Sequence, residues 1–301
     1  METSFSESFR EFIAKETDPA IRTLRENAFA EFTAAGFPTP KLEDWKYTNA
    51  APLVSGQWSV TGGQIEDVAD PDLELLRRFG SDRNGFAALN SAFADLKVIR
   101  IAKETSIAEP IELAFAADEN TAIFPHILVI AETGSKATIV ESYDSTAKSF
   151  TNTAIQIIVE DNASLTHYRV QRDSPEAFHY GVTEVSLGSG SSYDSTNINL
   201  GGRLSRHDID VKFTAEGGEA WVDGLYMLNG EQHSDTHSII DHTVPNCKSH
   251  QNYKGVLNDN SRGVFNGKVF VRENAHGTDA QQSNKNLLLS NDCLLYTSRC
   301  V

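Results

Sequence analysis

From about residue 126 onward the chain carries short alternating apolar and polar runs instead of helical stripes. Ala137-Thr138-Ile139-Val140, Ile155-Gln156-Ile157-Ile158-Val159, Val182-Thr183-Glu184-Val185 and Lys268-Val269-Phe270-Val271 are β-branched or alternating, the pattern of strands. A glycine or asparagine returns between the runs every 28 residues: Gly134, Asn162, Gly190, Gly218, Asn246 and Asn274. These residues enter left-handed backbone most cheaply. Their regular return predicts a corner at the same place on every coil of a solenoid. Helical repeats fit poorly, and the Leu-x-x-Leu-x-Leu ladder of leucine-rich repeats is missing. A parallel β-helix fits best, because its stacked coils hide strand edges everywhere except at the two ends.

A constant period would stack residues into columns. One column reads Ile157, Val185, Phe213, Asp241, Val269, and a second reads Val159, Leu187, Ala215, Thr243, Val271. Asp241 interrupts an otherwise apolar wall. A buried carboxylate must be paired or protonated. Either His237 or His242 partners it, or a local insertion shifts the register and turns Asp241 outward.

The N-terminal stretch reads as helical to about residue 36. Phe5, Phe9, Phe12 and Ile13 share one face, and Ile21, Leu24, Ala28, Phe29 and Phe32 continue an apolar stripe. Asp18 is placed as an N-cap with Pro19 in the first turn, and Gly36 as the stop. Pro38 and Pro40 bar a further helix, a short helix is expected over Asp72–Phe79, and strand character begins near Val98. The expected division is a helical and mixed region over 1–95 and a β-helix core over 96–292, with no Ser/Gly-rich linker between them.

The chain has 301 residues and a formal net charge of −16, which argues against nucleic acid and anionic membranes as partners. The acidic start Met1-Glu2-Thr3-Ser4 lacks a signal-peptide core, no run reaches the length of a membrane span, and three cysteines do not make a disulfide framework. A soluble, cytoplasmic protein is the expectation.

His233, His237, His242, Cys247 and His250 form the densest polar constellation. Histidine and cysteine are common ligands of metals and clusters, but the repeat argues against their convergence, and Cys247 occupies a slot where a small residue is wanted. Structural or surface roles are the expectation, and ligation is the alternative. His179, His207 and Asp235 lie 28 apart and would stack on three successive coils, either as an outer-wall ladder or as a shared proton or metal site. Trp45-Lys46-Tyr47 reads as a staple holding a linker on the core. Gly188-Ser189-Gly190-Ser191-Ser192 lacks the Gly-Lys-Ser/Thr of a phosphate loop, so nucleotide binding is not expected there.

Two segments carry a family resemblance. One is Gly36-Phe37-Pro38-Thr39-Pro40-Lys41-Leu42-Glu43-Asp44-Trp45-Lys46-Tyr47-Thr48. The other runs from Ser249-His250-Gln251-Asn252-Tyr253-Lys254-Gly255 through Arg262-Gly263-Val264-Phe265-Asn266-Gly267-Lys268 to Asp279-Ala280-Gln281-Gln282-Ser283-Asn284. Over about residues 20–292 the chain resembles the SufB/SufD family of iron–sulfur cluster assembly proteins, and the Glu-Asp-Trp-Lys-Tyr-Thr run resembles its SufD branch. The resemblance implies a right-handed parallel β-helix and a non-catalytic scaffold. It implies a SufB-like partner, a SufC-like ATPase, and an iron–sulfur cluster held transiently in the complex, with no cofactor bound by this chain alone. Residues 293–301 depart from the family pattern and are expected as an aberrant tail where the family has a C-terminal helical domain, so the ATPase contact is expected to be lost. The competing class is a β-helix carbohydrate-active enzyme, a polysaccharide lyase or hydrolase, which needs clustered carboxylates or basic residues in a groove.

Overall fold

A computed structural model describes residues 5–300. Its strands are β1 (Ser59–Thr61), β2 (Ile65–Glu66), β3 (Asp95–Ile101), β4 (Ile111–Ala117), β5 (Thr121–Ile123), β6 (Pro125–Ala131), β7 (Lys136–Ser145), β8 (Phe150–Val159), β9 (Ser164–Arg172), β10 (Phe178–Leu187), β11 (Ser192–Asn199), β12 (Leu204–Phe213), β13 (Glu219–Leu228), β14 (His233–His242), β15 (Lys248–Leu257), β16 (Arg262–Val271), β17 (Asp279–Leu288) and β18 (Leu294–Cys300). The helices are α1 (Ser6–Ile13), α2 (Pro19–Ala35), α3 (Ala51–Val54), α4 (Asp70–Leu76) and α5 (Gly85–Phe93). From β3 onward the strands alternate between two parallel sheets, wound into a β-solenoid of about eight turns. One sheet runs β2-β3-β6-β8-β10-β12-β14-β16-β18, with β1 and β5 beside it, and the other runs β4-β7-β9-β11-β13-β15-β17. No helix among the described residues is long and apolar enough to cross a membrane.

The corners are left-handed. Gly134 (φ 68°), Asn162 (φ 56°), Gly190 (φ 59°) and Asn246 (φ 59°) take this conformation where the repeat placed them. The other two corners fall on Gly217 (φ 78°) and Gly277 (φ 71°), not on Gly218 and Asn274. The coil length is therefore not constant. Val185 lies opposite Val211, two residues before the expected Phe213, and Val211 then lies opposite Ile240. The inner row reads Ile157, Val185, Val211, Ile240, Val269, and the next reads Val159, Leu187, Phe213, His242, Val271. Burying each large aliphatic side chain of such a row contributes about 1.5–3 kcal/mol.

Two expectations are corrected by this register. Asp241 is not in the apolar wall. It sits next to Ile240, faces outward, and accepts from Arg272 Nε at 2.7 Å and Nη2 at 3.0 Å. The triple stack of His179, His207 and Asp235 does not form. His179 lies opposite Ser205, His207 opposite Gly181 and Thr236, and Asp235 opposite Arg206. Side chains alternate faces along a strand, so moving the register by one residue sends Asp235 outside while His207 stays inside.

The helices cover the outer face of the first sheet. Asp18 caps α2 by accepting from the Ala20 and Ile21 amides at 2.7 and 3.1 Å, and Gly36 (φ 65°) ends it. The sequence reading did not anticipate α5. All its residues are buried, so it has no polar stripe to betray helical periodicity. Asn84 caps it, accepting from the Phe86 and Ala87 amides. Inside it, Asn90 donates to the carbonyls of Pro125 and Asn152 at 3.0 and 2.7 Å, which pins α5 to two coils. Phe5, Phe32, Phe86, Phe93, Phe124 and Phe150 make the aromatic layer between helices and sheet. At the far end Leu294–Cys300 pairs with β16, with Leu294 opposite Arg262. Residues 294–300 of the segment expected as an aberrant tail thus run as a strand of the solenoid.

Candidate functional site

Residues 37–48 cross the outer face of the first sheet as a strap. Its anchor is Trp45, which is only 3% exposed and sits at the end of a short 3-10 turn, Glu43–Trp45. One face of the indole stacks near Phe86 (5.4 Å between centroids) and Tyr180 (6.0 Å). The Arg206 guanidinium lies over the ring at 3.9 Å, a desolvated cation–π contact. Arg206 also donates to the Asp44 carbonyl at 2.5 Å, to Asp235 at 3.0 Å and to Asp208 at 2.9 Å.

Three histidine and aspartate candidates from the sequence meet under this strap. His233, Asp235 and His237 alternate along β14, so all three face outward. The Thr48 hydroxyl donates to Asp235 Oδ2 at 2.5 Å and lies 2.9 Å from His233 Nε2. Because the hydroxyl proton is committed to the carboxylate, the ring nitrogen of His233 is the donor. His237 Nε2 stands 3.0 Å from Asp235 Oδ1. Burial pushes the Asp235 carboxyl up, but Arg206 and His237 more than offset this and hold it well below the usual carboxylate range. Burial lowers His233, with Asp235 opposing the shift. Beside the group a cleft of about 170 Å³ opens between His237, Lys268, Arg83 and Asp210.

This group does not fit a resident metal as folded. Asp235 is already engaged by a hydroxyl, a guanidinium and an imidazole, and the fixed charge of Arg206 opposes a cation. Among the described residues no set of three His, Cys, Asp or Glu side chains is placed to hold a metal ion. What the arrangement does is fasten the strap to the coils.

His179 and His207 lie elsewhere, inside the solenoid. His179 Nδ1 is 2.8 Å from Asp173 Oδ2, and Arg169 Nη2 donates to His179 Nε2 at 2.5 Å. The imidazole therefore carries its proton on Nδ1. Arg169 also reaches Glu141 at 3.4 Å and Asn197 at 3.1 Å, and lies over the Tyr143 ring at 4.9 Å. His167 Nε2 is 3.2 Å from Glu141, and Tyr143 donates to the same carboxylate at 2.7 Å. Burial pushes Glu141 up, but His167 and Arg169 hold it below the usual range. Burial, reinforced by Arg169, pushes His207 well down, and His207 Nε2 lies 2.9 Å from the Thr183 hydroxyl. The expectation of an outer-wall ladder is corrected for both histidines, which belong to a sealed polar network in the lumen.

The remaining candidates are scattered. His242 is in the lumen, stacked on Phe213 at 4.6 Å with Nε2 2.9 Å from Ser249 Oγ. His250 is on the opposite outer face, stacked on Trp221 at 3.9 Å. Cys247 is buried at the corner after Asn246, its thiol pointing to the Pro245 carbonyl at 3.4 Å, and burial pushes that thiol up. Gly190 is a corner residue, which accounts for its glycine-rich surroundings.

Comparison with known proteins follows the same two regions. Residues 3–72 match the SufBD protein N-terminal region, which contains the strap. Residues 114–298 match the SufBD core domain of the SUF system for FeS cluster assembly. The chain belongs to the SufBD family. SufBD relatives include an iron–sulfur cluster assembly SufBD family protein of Synechocystis sp., 32% identical over 276 residues, covering 87% of this chain and 60% of that protein. The iron–sulfur cluster assembly protein SufD of Escherichia coli is 28% identical over 299 residues, covering 84% of this chain and 70% of that one. A SufBD family protein of Mycobacterium leprae is 26% identical over 288 residues, covering 87% and 73%. The chain thus spans about three fifths of the length of its Synechocystis SufBD relative.

Thr48, Arg206, Glu141 and Arg169 carry the two polar groups; reading the sequence touched Thr48 only as the end of the Glu-Asp-Trp-Lys-Tyr-Thr run and did not single out the other three. A signal for Arg206 was present: once the 26-residue coil before β12 and the 29-residue coil after it are known, Arg206 falls opposite both Tyr180 and Asp235.

Proposed function

We propose that this chain is a SufD-type scaffold subunit of a SUF iron–sulfur assembly complex. In this reading it acts in the cytoplasm with a SufB-like subunit and a SufC-like ATPase. The iron–sulfur cluster is cargo that the complex builds and passes on, and the chain performs no turnover of its own. The observation that carries the reading is the joint occurrence of the family core and of the Glu-Asp-Trp-Lys-Tyr-Thr strap. The strap is locked to the core by Trp45, Arg206 and Thr48. A rigid solenoid with its acids already paired suits a scaffold better than a hydrolase. Asp208 and Asp235 are tied to Arg206, and Asp210 and Glu184 to Arg83, which leaves them poorly placed as a general acid and base. Genetic complementation tests the reading. The gene should restore iron–sulfur enzyme activity in a strain lacking its own SufD-type gene. Failure of the whole gene product to do so, or robust turnover of acidic polysaccharide, would overturn it.

A further inference from the structure

Three asparagines of the chain are followed by glycine: Asn84, Asn229 and Asn266. Glycine has no side chain to screen its backbone nitrogen, so in such a pair that nitrogen can reach the preceding side-chain amide most easily. The fold treats the three pairs differently. Asn84 caps α5. Its Oδ1 accepts from the Phe86 and Ala87 amides and its Nδ2 donates to the Tyr180 hydroxyl at 3.0 Å, and a side chain on Gly85 would run into the Gly36 carbonyl. Asn266–Gly267 lies inside β16, which is paired on both sides, with β14 and with β18, and Gly267 is packed against the Gln282 side chain. Neither backbone has room to close into a ring. Asn229–Gly230 sits at the corner between β13 and β14, outside both strands. Asn229 is exposed, and no hydrogen bond holds its side-chain amide among the described residues. Gly230 has left-handed backbone (φ 58°), and nothing lies within 4 Å of the place where a side chain would begin. Its N–H donates to Asp259 Oδ2 at 3.0 Å, and Asp259 is exposed on the neighbouring corner. An attacking amide nitrogen must shed its proton, and a carboxylate at this distance is within reach to take it.

We propose that Asn229–Gly230 is a self-modification site that loses its side-chain amide as ammonia, with Asp259 accepting the Gly230 proton. The Gly230 nitrogen attacks Asn229 Cγ, the new N–C bond closes a succinimide, and the Cγ–Nδ2 bond breaks. The proton passed to Asp259 leaves with the ammonia. Water then opens the ring at either carbonyl and leaves an aspartyl or an isoaspartyl linkage. No oxidant, reductant or cofactor takes part. Either product adds a negative charge beside Glu231 and Asp259, and the isoaspartyl product also adds a methylene to the backbone. This corner leads directly into β14, whose His233, Asp235 and His237 fasten the strap, so the modification loosens the strap from its anchor. The site does not depend on the scaffold reading.

The test incubates the folded full chain at mildly alkaline pH and follows all three Asn-Gly pairs by peptide mass mapping, beside a sample unfolded in guanidinium chloride. In the folded chain Asn229 should convert at least about 10-fold faster than Asn84 and Asn266. In guanidinium chloride the three rates should converge. Asp259→Asn should slow conversion of Asn229 in the folded chain by at least about 10-fold and leave its rate in guanidinium chloride unchanged. Asparagine tolerates the left-handed backbone at position 259 (φ 55°), so the corner keeps its shape in this variant. Conversion of Asn229 no faster than that of Asn266 in the folded chain, or an unchanged rate in Asp259→Asn, would overturn the proposal. The wild-type comparison stands even if the variant fails to fold.

Discussion

The Thr48 hydroxyl donates to Asp235 at 2.5 Å across 187 positions of sequence. A residue of the strap and a residue of the sixth strand onward from β3 in the same sheet are thereby one polar unit, with Arg206 and the two flanking histidines as its other members. The contact joins the region matching the SufBD N-terminal model to the core.

Thr48→Val should therefore destabilise the protein by about 1–3 kcal/mol, because it leaves the buried Asp235 carboxylate and the partly buried His233 imidazole each short of a partner. Urea unfolding followed by circular dichroism checks this. A double-mutant cycle with Asp235→Asn should show a coupling of at least about 0.5 kcal/mol; simple additivity would mean that the contact carries no energy.

Arg206→Ala should cost more, about 3–5 kcal/mol. It removes one partner from buried Asp208 and Asp235 and leaves their charge uncompensated. Arg206→Lys should recover only part of the loss, since an ammonium cannot serve the indole face and both carboxylates together. Equal stability of the lysine and wild-type proteins would argue against the cation–π contact with Trp45.

The corrected register has its own test at two adjacent residues. Ile240→Ala should cost about 2–5 kcal/mol as a cavity in the core, whereas Asp241→Asn, which breaks an outward ion pair with Arg272, should cost less than about 1 kcal/mol. The uniform 28-residue period makes the opposite prediction, with the large effect at Asp241.

Much of the architecture was legible because it depends on local backbone chemistry. Glycine and asparagine mark four corners at the expected residues, and Asp18 and Gly36 bound α2 as their side-chain and backbone properties require. What escaped was set by tertiary structure. A 26-residue coil between β10 and β12 keeps the alternation, but the 29-residue step from β12 to β14 turns Asp241 outward before a second 29-residue step returns Val269 to the inner row, and no local feature of the intervening sequence announces these lengths. The helix α5 was hidden because a buried helix has no amphipathic period. Of the candidate site, His233, Asp235 and His237 could be grouped by their alternation, but their partners Thr48 and Arg206 come from distant segments. Nothing in the local sequence marks Glu141 and Arg169, and only the lumen geometry pairs them.

Stability should fall in acid for a reason that can be located. Burial pushes His126 down to about 4, whereas an unfolded histidine takes its proton near 6.5. Between those values the unfolded state binds more protons, so stability is full above about pH 6.5 and declines as pH falls. His179, His207 and His233 are shifted in the same direction. Asp235, Glu141 and Asp173, held below the usual range, add a further loss below about pH 4. Thermal unfolding should show a midpoint that is level above about pH 7 and drops steadily below pH 6.5. His126→Phe should flatten part of that drop, by about 3 kcal/mol at pH 4. A pH-independent midpoint between 7 and 4 would contradict this.

The most direct measurement of the scaffold assignment is co-expression of the chain with the SufB-like and SufC-like proteins of its own genome, followed by affinity purification and native mass. The account predicts a stoichiometric complex that contains the SufB-like subunit. Recovery of neither partner, even with the whole gene product, would contradict it.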